Sequence, residues 1–172
     1  MPEMHICQRC AEKGPTCCEG NDRDIFITRG DVKRIQVISG RGDFFEFRKP
    51  LNQNYLDSDD PVWTRHVFRK DNSRRVIRLN SSGTCMFLSK TGCTLPLQAR
   101  PLVCRLFPYQ YSQKGLMDEL ADECPRDFLQ EGENLAMAIG IHKEDALSWH
   151  HLLYQEILWE KEDENIDHRA DL

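Results

Sequence analysis

The sequence predicts one small, irregular α+β domain. Short strands and loops are gathered around a cysteine-bound metal centre, with one helix near the N-terminus and another at the C-terminus. Three observations lead there. The 172 residues carry eight cysteines in two blocks, Cys7-x2-Cys10-x6-Cys17-Cys18 and Cys85-x7-Cys93-x10-Cys104, the latter followed by Cys124. The extended runs between residues 62 and 120 are short and separated by turn residues, the pattern of hairpins rather than of a large sheet. Apolar residues at helical spacing fill residues 143–161.

In chain order, residues 1–24 are polar, rich in cysteine and short of apolar anchors, so their order is expected to depend on bound metal. Ile25-Phe26-Ile27 leads into Thr28-x2-Asp31, a variant of the capping box. Val32, Ile35 and Ile38 follow at near-helical spacing, and Ser39-Gly40 supplies a stop, so the pattern predicts a helix over 29–39. Residues 41–61 are the least patterned, with Phe44, Phe45 and Phe47 able to anchor a short strand or turn. Residues 62–69 and 74–79 flank Lys70-Asp71-Asn72-Ser73 as a candidate hairpin. Residues 84–88 and 93–95 flank Ser89-Lys90-Thr91-Gly92 as a second, which would bring Cys85 and Cys93 near each other across two strands. Pro96, Pro101 and Pro108 restrict 97–106 to separate helical turns. A third hairpin is read around Gln113-Lys114-Gly115. Residues 133–139 read as a helix ending at Gly140. The last helix, 143 to about 161, presents Ala146, Trp149, Leu153, Tyr154 and Ile157 on one face. The domain is read as 1–162, with a charged, flexible tail at 163–172.

Two residues between cysteines let the backbone direct two thiolates at one centre, which is why C-x2-C recurs in zinc and iron–sulfur sites. The rival reading is a disulfide framework, for which about a hundred pairings would be open. Residues 1–16 contain no apolar signal-peptide core, and no run is apolar enough to span a membrane. A chain this long also buries a core without covalent staples. The expectation is therefore a cytoplasmic protein with reduced thiols and a metal ion or cluster as its partner. All eight, Cys7, Cys10, Cys17, Cys18, Cys85, Cys93, Cys104 and Cys124, are candidate ligands. Thiolate is a soft donor, so the candidates are an iron–sulfur cluster first and zinc as the alternative. Successive side chains of an extended strand point apart. Cys17 and Cys18 therefore serve one ion together only through a strained turn, and one of them could instead reach another centre or pack inside.

Arg9, Arg100, Arg105 and Arg126 each lie within four residues of a cysteine and could neutralise bound thiolates. His5 could coordinate or support the ligands, and His150, in the middle of the apolar helical face, reads as a satisfied core histidine. A net charge of −5 argues against general affinity for nucleic acid or anionic membrane. The basic strip Arg65, Arg69, Lys70, Arg74, Arg75 and Arg78 reads as a solvated face. No phosphate loop, G-x-S-x-G elbow or H-E-x-x-H is present, so no catalytic residue is assigned.

Four segments together resemble the cysteine-cluster family known as YkgJ, a domain described as zinc- or iron-chelating. They are the N-terminal cysteines, Ile25-Phe26-Ile27-Thr28-x2-Asp31-Val32-x-Arg34-Ile35, Cys85-Met86-Phe87-Leu88-x4-Cys93, and Arg100-Pro101-x2-Cys104-Arg105-Leu106-Phe107-Pro108. The resemblance covers about residues 7–125. It implies that Cys7, Cys10, Cys17 or Cys18, Cys85, Cys93 and Cys104 are ligands, with Cys124 a further one. A similar cysteine pattern in flagellin lysine methylases implies a redox or radical role. Leu95 stands where the family has an aromatic residue, and the stretch from Asp31 to Cys85 is long for the family. Two functions follow: an iron–sulfur protein with a redox or modification-support role, or a structural zinc module presenting a protein-interaction surface.

Overall fold

The computed structural model describes residues 6–13, 24–56, 59–121 and 126–170, with the side chains of Cys7, Tyr55 and 161–170 outside the description. Within them the chain is mixed helix and strand, the α+β character the sequence predicts. Ile6–Lys13 forms a helix, α1, in a stretch from which the pattern alone reads no element. Its anchor is Ile6, 2% exposed.

The second helix, α2, spans Arg29–Ser39 as the sequence predicts. The Thr28 hydroxyl accepts from Asp31 N–H at 2.9 Å, and Asp31 Oδ2 accepts from Thr28 N–H at 3.1 Å, so the capping box is complete. Gly40 closes the helix at φ 65, a left-handed geometry that glycine adopts without strain.

Gly30 is required for a different reason. A Cβ there would stand 2.3 Å from Glu156 Oε1. That carboxylate is pinned by Arg34 at 2.7 and 2.9 Å and by the Thr28 hydroxyl, so it cannot swing aside without breaking those bonds. Gly30→Ala is expected to destabilise the protein by about 1–3 kcal/mol, although alanine is the better helix former. A denaturant midpoint equal to or above wild type would contradict this.

The first expected hairpin is not formed. Residues 61–66 are helical: Asp60 caps the N-terminus of α3 (Pro61–His66), accepting from Val62 and Trp63 N–H at 3.1 Å each, with Pro61 in the first turn. The strand that follows, β2 (Arg74–Ile77), pairs antiparallel with β1 (Phe45–Arg48), in register from Phe45↔Ile77 to Arg48↔Arg74. Residues 25–27 lie along the other side of β2, with Ile27 N–H donating to Arg75 O and Ile77 N–H to Ile25 O. The second hairpin is shorter than predicted, with strands β3 (Leu88–Ser89) and β4 (Gly92–Cys93) in place of 84–88 and 93–95, while the third, β5 (Tyr109–Ser112) and β6 (Gly115–Leu120), lies where the sequence predicts. Between them a 3₁₀ turn at Leu97–Ala99 and the short helix α4 (Leu102–Leu106) replace one continuous helix, as the prolines require.

The chain ends in α5 (Leu135–Ile139), capped at Gly140, and α6 (Lys143–Ala170), whose backbone runs past the expected end near residue 161. Against α6 pack α2, α3, α4 and β6. The apolar interior has two halves. Phe26, Leu102, Leu106, Ala146, Leu153 and Ile157 form the helical half. Ile27, Ile35, Phe44, Ile77, Phe87 and Leu95 form the other, with Cys85 among them. Adjacent residues of one extended segment, Phe26 and Ile27, feed the two halves because successive side chains point to opposite faces.

One buried polar knot joins these elements. Asp60 Oδ2 accepts from Gln113 N–H at 3.0 Å and from the Tyr154 hydroxyl. Burial, then the Asp60 bond, pushes the Tyr154 phenol well above its ordinary value, and burial does the same to Tyr111. A folded value above the unfolded one means that this stability is fully present below about pH 10 and is lost as pH rises through the folded values. In an alkaline ultraviolet titration, Tyr111 and Tyr154 are expected to ionise only together with unfolding. Titration of all four tyrosines ahead of the loss of helical circular dichroism would refute that.

Candidate metal centre

The candidate ligands fall on distinct elements. Cys7 and Cys10 both lie on α1. Their i, i+3 spacing puts them on one face of that helix, so the C-x2-C pair is presented by a helical turn and not by a knuckle loop. Cys10 is half-buried. Helix α1 is held by Arg9, which donates to Phe128 O at 2.7 Å and pairs with Glu133 at 3.1 Å, and by Lys13, which lies over the Phe128 ring. It packs against α5, the 3₁₀ turn Arg126–Phe128 and β4. The strand β4 carries Cys93. The helix bearing the first cysteine pair therefore rests on the strand bearing a cysteine of the second block.

Cys85 and Cys93 are not the cross-strand pair that the hairpin reading expects. The register places Cys93 opposite Leu88, while Cys85 lies before the hairpin, bridged to Leu79. They meet instead through one apolar cluster: Cys85, 5% exposed, belongs to it and Cys93 packs on its edge. Cys104 is half-buried on α4. Cys17, Cys18 and Cys124, with His5, lie outside the described residues. Among the described residues no three His, Cys, Asp or Glu side chains are grouped as a metal site.

The arginines beside Cys104 bond to backbone carbonyls. Arg100 Nε donates to Leu95 O at 2.9 Å. Arg105 donates from Nε to Arg100 O at 2.8 Å and from Nη2 to Gln98 O at 2.5 Å. These bonds satisfy carbonyls of the irregular loop and fix where α4 begins, and so where Cys104 sits. Burial, then the nearby Arg34 cation, pulls the Arg105 guanidinium below its ordinary value, and a Cys104 thiolate opposes that shift. The Arg105 charge thus reaches Cys104. Arg126 is exposed.

Asp31 is the residue whose reach the sequence left unread. Its Oδ2 completes the capping box, while Oδ1 accepts from Arg34 at 2.8 Å and from Leu102 N–H at 3.1 Å. Leu102 opens α4. One buried carboxylate thus ties the start of α2 to the start of the Cys104 helix. Burial pushes it above the ordinary carboxylate range, against the pull of Arg34 and the Thr28 N–H. The only available signal was the appearance of Thr28-x2-Asp31 and Arg100-Pro101-x2-Cys104 in one pattern.

The basic strip is also not a solvated face throughout. Arg74 is 2% exposed. Arg75 pairs with Glu160 at 2.9 Å, and with Arg69 it lies over the Phe47 ring. His150 Nε2 meets Ser112 O at 2.7 Å, the satisfied histidine the sequence suggests. No helix among the described residues is long and apolar enough to cross a membrane. No protein-family model, curated protein or solved structure matches the chain.

Proposed function

We propose that this is a cytoplasmic metal-binding protein of the YkgJ-like cysteine-cluster type, holding an iron–sulfur cluster through thiolates from both cysteine blocks. The observation that carries the reading is the seating of α1 on β4 and on the 3₁₀ turn Arg126–Phe128. That packing sets the helix that carries Cys7 and Cys10 against the strand that carries Cys93, and in sequence the turn begins two residues after Cys124. Clustered thiolates are the donor set that soft metals select. Bound there, a cluster would supply one-electron chemistry, which suits a redox or modification-support role. The chain's own contribution is to place the donors: Arg9 clamps α1 onto the body, and Arg100 and Arg105 hold the loop that leads into Cys104.

A second reading, a structural zinc module presenting a binding surface, is favoured by the shortness of α1. A helix of eight residues, with Ile6 its one deeply buried side chain among the described residues, would gain much from a metal cross-link to β4. Analysis of anaerobically purified protein separates the two. Iron with acid-labile sulfide and a brown colour is the expected result. Stoichiometric zinc in colourless protein would favour the structural reading. Neither metal, or full metal content after Cys93→Ser, would overturn a thiolate centre that spans both blocks.

A further inference from the structure

Beside α4 is a cavity of about 400 Å³, lined by none of the described cysteines. Its walls include Phe26, Trp63, Tyr111 and Tyr154, together with Asp24 and Asp60. The aromatic rings are set at steep angles. Phe26 and Trp63 lie 5.2 Å apart at 66°, Trp63 and Tyr111 6.4 Å apart at 60°, and Tyr111 and Tyr154 6.4 Å apart at 87°. Four aromatic side chains border one space, and an aromatic face open to that space attracts a cation. Burial keeps both phenols neutral, so neither titrates at physiological pH.

The charges lining the space are two carboxylates, Asp24 and Asp60, and one guanidinium, Arg74. Asp24 is shared between Arg48 and Arg74, the latter at 3.9 Å. Asp60, whose Oδ1 caps α3 and whose Oδ2 accepts from Tyr154 and from Gln113 N–H, stands beside the aromatic corner as the acidic group of that end. A small inorganic cation would want a cluster of oxygens. A weakly hydrated organic ammonium wants aromatic faces and a nearby carboxylate. We infer that this cavity is a binding site for an organic ammonium compound, with Trp63, Tyr111 and Tyr154 facing the cationic head and Asp60 supplying the counter-charge. None of the described cysteines lines the site, although Val103 of its wall precedes Cys104.

Calorimetric titration of the full-length protein tests this with three probes of one shape. Choline carries the ammonium head, 3,3-dimethylbutan-1-ol is its neutral isostere, and 3,3-dimethylbutanoate is an anionic counterpart. Choline is expected to saturate at least about tenfold more tightly than the neutral alcohol, with the anion weaker still. Trp63→Leu should lose that preference, whereas Trp63→Phe, which keeps a ring face, should retain part of it. A neutral or anionic probe binding as well as choline, or no saturable binding of choline, overturns the proposal. If Trp63→Leu does not fold, the three-probe comparison on wild-type protein still decides.

Discussion

Deletion of residues 1–20 is expected to strip the protein of most of its metal, even though Cys85, Cys93, Cys104 and Cys124 all remain. The reason is placement. Cys85 is sequestered in the apolar cluster and bridged to Leu79, and Cys93 lies across from Leu88 on the next hairpin. The hairpin register therefore does not set the two cysteines opposite each other. What the hairpin does is offer one edge, β4, to α1 with its two cysteines. Structural metal in small thiolate sites contributes on the order of 10 kcal/mol, comparable to the whole stability of a domain this size. The truncated protein should accordingly lose metal and melt much earlier.

Deletion also removes the Ile6 anchor and the Arg9–Glu133 pair, so a lower melting temperature alone proves nothing. Metal per chain is the decisive measurement, with Ile6→Ala as the control. That variant loosens α1 by about 2–5 kcal/mol of core packing but keeps every thiol. It should be less stable yet still bind metal. Truncated protein with undiminished metal content would mean that the second block forms a closed site of its own.

How far the fold could be read in advance depended on whether the determining contacts were local. Thr28-x2-Asp31 and Gly40 bracket α2 with side-chain and backbone bonds inside one turn, and that helix lies where expected. The Gly92 and Gly115 turns did the same for their hairpins. The prolines between residues 96 and 108 broke the helix as their missing N–H demands. The misread stretch, 62–69, failed on a signal that was present. Asp60-Pro61 is a cap followed by a first-turn proline, yet the turn residues Lys70-Asp71-Asn72-Ser73 make 62–69 read as one arm of a hairpin.

Other features were not in the local sequence at all. The partner of β2 is β1, across a long connection that contains α3, and no turn chemistry encodes that pairing. Helix α1 is not legible in the residue pattern, because Cys7 and Cys10 read as ligands and not as positions on a helix anchored by Ile6. For the candidate site, residue types were legible while positions were not. Spacing alone suggested that Cys85 faces Cys93, and only the register shows Leu88 there instead. Arg100 and Arg105 looked like counter-charges for thiolates. Their bonds run to carbonyls because an irregular loop of helical turns leaves carbonyls that need donors.

Asp31→Ala is expected to cost about 3–5 kcal/mol and to reduce bound metal, although Asp31 is no metal ligand. The carboxylate is fully buried and accepts from Thr28 N–H, Leu102 N–H and Arg34. Its removal leaves two backbone donors without an acceptor, at about 1–3 kcal/mol each, and half-strips Arg34 of its counter-charge. Glu156 still holds Arg34, which keeps the loss below that of an isolated buried cation. The Leu102 bond is what couples stability to the centre, because Leu102 begins the helix on which Cys104 lies. Asp31→Asn separates the two effects. It retains one oxygen for Leu102 N–H while giving up a charge that burial already disfavours. The asparagine variant should therefore keep more of both stability and metal than the alanine variant. Equal metal per chain in wild type and Asp31→Ala, at a temperature where both are folded, would show that the start of α4 does not position a ligand.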